Sequence, residues 1–189
     1  MSLNLIVAFL TGSFVALIIF LPVYFAVTKR LSKLAYTDQL TELPNYHKFM
    51  HDSAVLFSDF DKKAQSIILI DLDNFKKIND LFGYNAGDEY MRYVAGFFLE
   101  NIKNEGRIYR YKMGDEFVVV STLEEKQAIN GMELLKNKLQ TEITSTEKFP
   151  GLGFSYGLSK IDFQDIKLSL KLAEERLQLN KAQNIQSKL

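Results

Sequence analysis

The sequence predicts an α/β domain, a β-sheet with helices packed on it, preceded by one N-terminal transmembrane helix. Three observations lead there. Leu3 to Val27 carries no charged residue. Beyond it, short apolar runs rich in β-branched residues alternate with longer segments of helical period. Apolar residues make up 47% of the chain, enough for a packed core rather than a disordered chain.

Composition narrows the functions. Lys plus Arg and Asp plus Glu are equal at 23 each, so no basic excess suits a nucleic-acid partner, and none is expected. The absence of cysteine excludes disulfides, thiolate nucleophiles and zinc–thiolate sites. His47 and His51 are the two histidines, spaced i, i+4. Without the acid of an H-E-x-x-H pattern they read as surface helix residues.

The apolar segment comes first. As a helix, Leu3–Val27 would span about 37 Å at 1.5 Å per residue. The hydrocarbon core is about 30 Å thick, so a tilted span fits. Asn4, Thr11 and Ser13 are tolerable there, and Pro22 falls in the C-terminal third. Lys29, Arg30 and Lys33 follow at once, whereas no Lys or Arg precedes the span. The positive-inside rule then places the C-terminal domain in the cytoplasm. The expectation is a single-pass protein of the inner (cytoplasmic) membrane, with the lipid bilayer as partner through Leu3–Val27. A cleaved signal peptide would need a positive start and a shorter apolar core, and neither is present. The expected organisation is an anchor with a juxtamembrane helix over residues 1–36 and one domain over 37–189.

Within that domain, Thr37–Asn45 reads as a loop containing Pro44. Tyr46–Lys62 reads as an amphipathic helix with Phe49, Met50, Val55, Leu56 and Phe60 as its apolar positions. Ser66–Ile70 is a buried-strand run ending at Asp71. Asn74–Asp80 is a short helix that Asp73 or Asn74 would cap. Asp88–Lys103 is a longer helix, with Tyr90, Met91, Val94, Phe97, Phe98 and Ile102 for its buried face. Arg107–Lys112 and Glu116–Ser121 are strands around a tight turn at Met113–Asp115. Glu124–Ile143 is helical despite Gly131, Gly153–Lys160 is a strand, and Asp165–Lys181 closes the chain as a helix.

Carboxylates punctuate this pattern. Asp71 ends an apolar strand, and Asp115 and Glu116 sit at a hairpin turn. If the first strand lies beside the hairpin, three acids converge at one edge of the sheet. Crowded acids repel, and a divalent cation relieves them. Oxygen-only ligands favour Mg²⁺ or Mn²⁺ over zinc or copper.

Four ordered motifs carry a resemblance. Asp71-Leu72-Asp73-Asn74-Phe75-Lys76-Lys77-Ile78-Asn79-Asp80, then Gly83 and Gly87-Asp88, resembles the D-x-D-x-F-K-x-I-N-D-x-x-G-H-x-x-G-D block of the GGDEF family. Met113-Gly114-Asp115-Glu116-Phe117 resembles the motif that names it. Asp38 to Asn45 resembles its D-x-L-T-G-L-P-N loop, and Ala173-Glu174 with Lys181 resembles its closing helix. The likeness runs from about Asp38 to Lys181.

That resemblance implies a GGDEF domain over 37–189: a central mixed β-sheet wrapped by helices, related to nucleotide cyclases and the polymerase palm. It implies a diguanylate cyclase that condenses two GTP into cyclic di-GMP, releases pyrophosphate and works as a homodimer with Mg²⁺ or Mn²⁺. Asp71, the Leu72 carbonyl, Asp115 and Glu116 would hold the metal, with Asp115 and Glu116 as the catalytic pair. Phe75, Lys76, Asn79, Asp88, Gly114 and Lys181 would bind the nucleotide. Of these, Asn79 and Asp88 would read guanine, Lys76 and Lys181 would meet the triphosphate, and backbone N–H groups from Phe75 to Asn79 would cradle phosphate.

The chain also departs from the family pattern. Met113 replaces a glycine, Glu42 another, Tyr46 an arginine and Tyr84 a histidine, and Ile185 stands where a second phosphate-binding arginine often follows. The stretch before the turn is one residue longer than usual, which displaces Arg110. The window for an inhibitory product site reads Asn104-Glu105-Gly106-Arg107, with neither arginine nor aspartate in place, so no such site is expected. These departures leave open a second role, a catalytically weak or silent GGDEF module acting as a GTP-binding or dimerisation partner at the membrane.

Overall fold

Two units make up the chain in the computed structural model, Met1–Thr37 and Asp38–Leu189. Residues 3–55, 65–112, 114–146, 149 and 151–186 are described. The first unit is helix α1, Leu3–Tyr36, which continues through Pro22. Its stretch Leu10–Tyr36 is long and apolar enough to cross a membrane, with a mean hydropathy of 2.2. Leu17, Ile18, Ile19, Phe20 and Phe25 are all exposed within the chain.

The second unit is built on a sheet of four described strands: β1 Ser66–Asp73, β2 Gly106–Arg110, β3 Glu116–Ser121 and β4 Gly153–Lys160. Their order is β2-β3-β1-β4. Every pairing is antiparallel, where a mixed sheet was expected. The reason is topological. β1 and β2 do run parallel, but β3 lies between them and pairs with both.

The helices are α2 Tyr46–Val55, α3 Phe75–Phe82, α4 Tyr84–Ile102, α5 Glu125–Thr146 and α6 Ile166–Gln186. Strand parity decides which side chains meet which helix. Ile68, Ile70 and Leu72 of β1 enter a core with Tyr90, Met91, Val94 and Phe98 of α4 and Met132, Leu139 and Ile143 of α5. Ile67 and Leu69 enter the opposite core with Phe49 of α2 and Ala173 and Leu177 of α6. By the same alternation Asp71 and Asp73 stand on the α6 face. β3 repeats the rule, with Val118 and Val120 on the α6 face and Phe117 and Val119 on the other.

Several boundaries differ from the sequence reading. β1 continues past Asp71 to Asp73, because Leu72 is buried and pairs with Phe154. α4 begins at Tyr84, so Asp88 lies in its second turn rather than at its start. All six residues assigned to its buried face are buried. Asn74 precedes α3 in the left-handed conformation without a side-chain cap; its amide instead donates to the Gly151 carbonyl at 3.3 Å. On α2, Phe49 is buried but Met50 is exposed, because a 10-residue helix offers only one narrow apolar stripe. Leu56 and Phe60, assigned to the same helix, lie outside the described residues, as does Met113.

Gly157 permits a close approach of helix to sheet. A Cβ on Gly157 of β4 would stand 2.1 Å from the Ala173 carbonyl and 2.2 Å from the Leu177 amide, so α6 rests directly on β4. On α5, a Cβ on Gly131 would meet nothing within 4 Å. Gly131→Ala should therefore stabilise the domain by about 0.5–1 kcal/mol through helix propensity. Gly157→Ala should destabilise it by about 1–3 kcal/mol by forcing α6 off the sheet. Thermal unfolding of the two variants checks the opposite signs.

Candidate active site

The β1–β3 register sets Asp71 opposite Glu116. Residues directly opposite in an antiparallel pair share a face, with Cβ atoms about 4.5–5.5 Å apart. The Leu72 N–H donates to the Asp115 carbonyl at 3.2 Å, which ties the hairpin turn to β1. Asp71, Leu72, Asp115 and Glu116 are thus brought to one edge of the sheet, as the sequence reading required.

Burial pushes the Asp71 carboxyl above its usual range. Its bond to Lys181, Nζ to Oδ2 at 2.7 Å, opposes this, while Asp115 and Asp73 push it up further. Burial also raises Glu116; Lys112 opposes, and Asp71, Glu174 and Asp115 add to the rise. Asp73 shares the face but is engaged elsewhere. It accepts from Ser155 Oγ at 2.6 Å, and Ser155 accepts from Asn184 Nδ2 at 2.9 Å.

The donor set suits a hard divalent cation. Among the described residues, no three acidic or histidine side chains enclose an ion by themselves. Magnesium rarely asks for that; it takes one or two carboxylates and completes its shell with water and phosphate oxygens. Two carboxylates raised by burial and by neighbouring acids, Asp71 by Asp115 and Asp73 and Glu116 by Asp71, Glu174 and Asp115, are the residues such an ion would relieve.

The turn itself is strained. The Tyr111 N–H donates to the Glu116 carbonyl at 3.0 Å, leaving Lys112 to Asp115 as the loop. Gly114 has φ 111°, which only glycine adopts without cost. Lys112 has φ 48°, uncommon for a residue with a side chain, and its ammonium lies 4.8 Å from the centre of the Tyr111 ring.

Lys181 is placed by its neighbours on α6. Asn180 Oδ1 accepts from the Tyr156 N–H at 3.3 Å, and Asn184 reaches Ser155, so both flanking turns are pinned to β4. The sequence reading missed Ser155, Asn180 and Asn184. Their signal was a pair of asparagines at i, i+4 bracketing a lysine.

Of the nucleotide candidates, Phe75, Lys76 and Asn79 lie on α3 and Asp88 on α4, whereas Gly114 lies in the hairpin turn and Lys181 on α6. Phe75 opens α3 and stacks on Tyr90, with ring centroids 6.3 Å apart. Lys76 is exposed in the first turn beside the open N–H groups. Asn79 is half-buried, and Asp88 is half-exposed on α4. The Gly83 N–H donates to the Asn79 carbonyl at 2.9 Å, closing α3 where α4 begins.

Arg110 ends β2 opposite Phe117. It is 8% exposed, its guanidinium lies 5.1 Å from the Phe117 ring centre, and its Nη1 has no hydrogen-bond partner among the described residues. Burial lowers its pKa, against the charges of Asp38, Asp115 and Glu116. The longer turn has not removed it from the acidic edge.

This is an α+β domain whose acidic sheet edge is flanked by lysines. The chain belongs to the GGDEF family, described as "Diguanylate cyclase, GGDEF domain", which matches residues 35–187. It is 39% identical over 111 residues to the diguanylate cyclase DgcP of Escherichia coli K12, covering 58% of this chain and 31% of that protein. It is 29% identical over 120 residues to the diguanylate cyclase DosC of the same organism, covering 61% and 26%. The chain thus spans about a quarter to a third of these relatives' length. In fold it resembles the solved coiled coil and GGDEF domain of DgcB from Caulobacter crescentus, a complex with c-di-GMP. The TM-score is 0.76 at 20% identity, over 92% of this chain and 94% of that one.

One expected outcome follows from the facing acids. Both carboxyls hold a proton more tightly folded than unfolded. The destabilisation they cause is absent below the ordinary carboxylate range. It grows as the pH rises toward their folded values and is complete above them. In chelator, Glu116→Gln should therefore raise Tm at pH 7 by about 2–4 °C, and the gain should fade toward pH 4. A lower Tm at pH 7 would mean that Lys112 already neutralises Glu116.

Proposed function

We propose that this chain is a membrane-anchored diguanylate cyclase that condenses two GTP into cyclic di-GMP. The observation that carries the reading is the Asp71–Glu116 pair across β1 and β3, with Lys181 poised at 2.7 Å on Asp71. Asp71, Glu116, Asp115 and the Leu72 carbonyl would hold Mg²⁺, or Mn²⁺ in its place. When bound, that ion would offset the charge of the triphosphate and acidify the attacking hydroxyl.

The chain's own residues supply position and charge. Lys181 leaves Asp71 for the triphosphate once the acid has a better counter-charge. Lys76 and the open N–H groups at the start of α3 receive phosphate oxygens. Asn79 and Asp88 read guanine, since a carboxylate accepts from N1–H and the 2-amino group and an amide donates or accepts. Asp115 takes the proton of the 3′-hydroxyl as that oxygen attacks the α-phosphate of a second GTP and pyrophosphate departs. One domain holds one GTP, so two copies of the chain must face each other, and the working form is a homodimer.

α1 anchors the domain in the inner membrane through Leu3–Val27, with the basic residues Lys29, Arg30 and Lys33 on the cytoplasmic side. A reporter fused after Leu189 should read as cytoplasmic, and a periplasmic signal would reverse the orientation.

The direct test is to incubate the purified chain with GTP and Mg²⁺ and identify the product. Cyclic di-GMP and pyrophosphate are expected. Asp71→Ala and Glu116→Ala should each abolish metal-dependent turnover, a loss of about 10²-fold or more, because each leaves the ion short of anionic ligands. GTP binding without product in the wild type would instead assign a silent binding module.

A further inference from the structure

Where α3 meets α4, one glycine has no room for a side chain. A Cβ on Gly87 would stand 1.9 Å from Asn79 Oδ1 and 2.9 Å from its Cγ. The Asn79 carboxamide therefore fills the space a side chain at 87 would take, flat against the first turns of α4. Gly87 is itself buried. Its backbone is helical and its N–H donates to the Gly83 carbonyl at 3.3 Å, so no unusual φ calls for glycine there. The demand is steric, and it comes from one side-chain amide.

The placement has a consequence for recognition. Asp88 is the next residue on α4, so the Asn79 amide rests against the helical turn that carries Asp88. The structure gives that amide no hydrogen-bond partner among the described residues. It is held by packing and remains available to a ligand.

We propose that Gly87 is a positioning residue for purine specificity: by lacking a Cβ it fixes the Asn79 carboxamide beside Asp88, where the two read one base together. The inference rests on the reading that Asn79 and Asp88 contact guanine. A methyl group at 87 pushes out the end of a flexible side chain rather than a backbone, so the helix pair persists while the amide swings away. Alanine also has the higher helix propensity, so propensity does not weaken α4.

The test uses the full chain in detergent. Displacement of a fluorescent GTP analogue by GTP and by ATP, with Mg²⁺ present, gives the preference for guanine in the wild type, Gly87→Ala, Asn79→Ala and the double variant. Gly87→Ala is expected to lower the GTP-over-ATP preference by about tenfold or more, the scale of a lost base-edge contact. Asn79→Ala should do the same, and the double variant should be no worse than Asn79→Ala. A Gly87→Ala protein that keeps the wild-type preference overturns the inference, as does full additivity in the double variant. If Gly87→Ala fails to fold, folding of the double variant supports the steric coupling, because the smaller residue at 79 restores the space. Failure of both overturns it. A wild type without any preference for GTP contradicts the reading of Asn79 and Asp88 itself, which separates the two failures.

Discussion

The β1–β3 register is the constraint on which the rest of the site depends. It sets Asp71 against Glu116, two acids of like charge on one face at the end of a buried strand. That arrangement costs stability in the chain alone, because burial and mutual repulsion both disfavour ionisation. A slip of one residue would turn Asp71 toward α4 and α5 and bury it among Phe98, Phe117 and Phe154. The apolar alternation of both strands forbids that slip. The same hydrophobic pattern that builds the two cores therefore holds the acids together.

The lysines of the candidate site come from different parts of the chain. Lys181 depends on α6 lying close to β4, which Gly157 permits and the Asn180 and Asn184 contacts secure. Lys76 depends on α3 starting immediately after β1, so that its first turn follows the acid-bearing strand with only Asn74 between. The left-handed Asn74 makes that sharp junction. The acids cost stability when ionised, and Lys181 beside Asp71 and Lys112 beside Glu116 moderate rather than cancel that cost.

Gly87 and Asn79 show a quieter form of the same economy. The Asn79 side-chain amide has no hydrogen-bond partner among the described residues and sits in the space that Gly87 leaves. Arg110 is a further buried donor near the acids, with one nitrogen unpartnered among the described residues. Its backbone N–H donates to the Pro44 carbonyl at 2.8 Å, which ties the loop that opens the domain to β2.

By itself, the sequence determined the apolar N-terminal helix, the number and order of the described strands, the buried face of α4 and the identity of the acids. These are local properties: uncharged length, side-chain period and residue type are all written along the chain. It did not determine that the sheet is antiparallel throughout, because which strand lies between two others is a matter of packing, not of period. Nor did it determine the end of β1 at Asp73, since only pairing with β4 carries the strand past Asp71. The tertiary structure alone decided that Asp73 would be spent on Ser155 while Asp71 faced Lys181. It alone decided that Gly87 would make room for Asn79. Both outcomes depend on distances between segments far apart in the chain, which no spacing along it encodes.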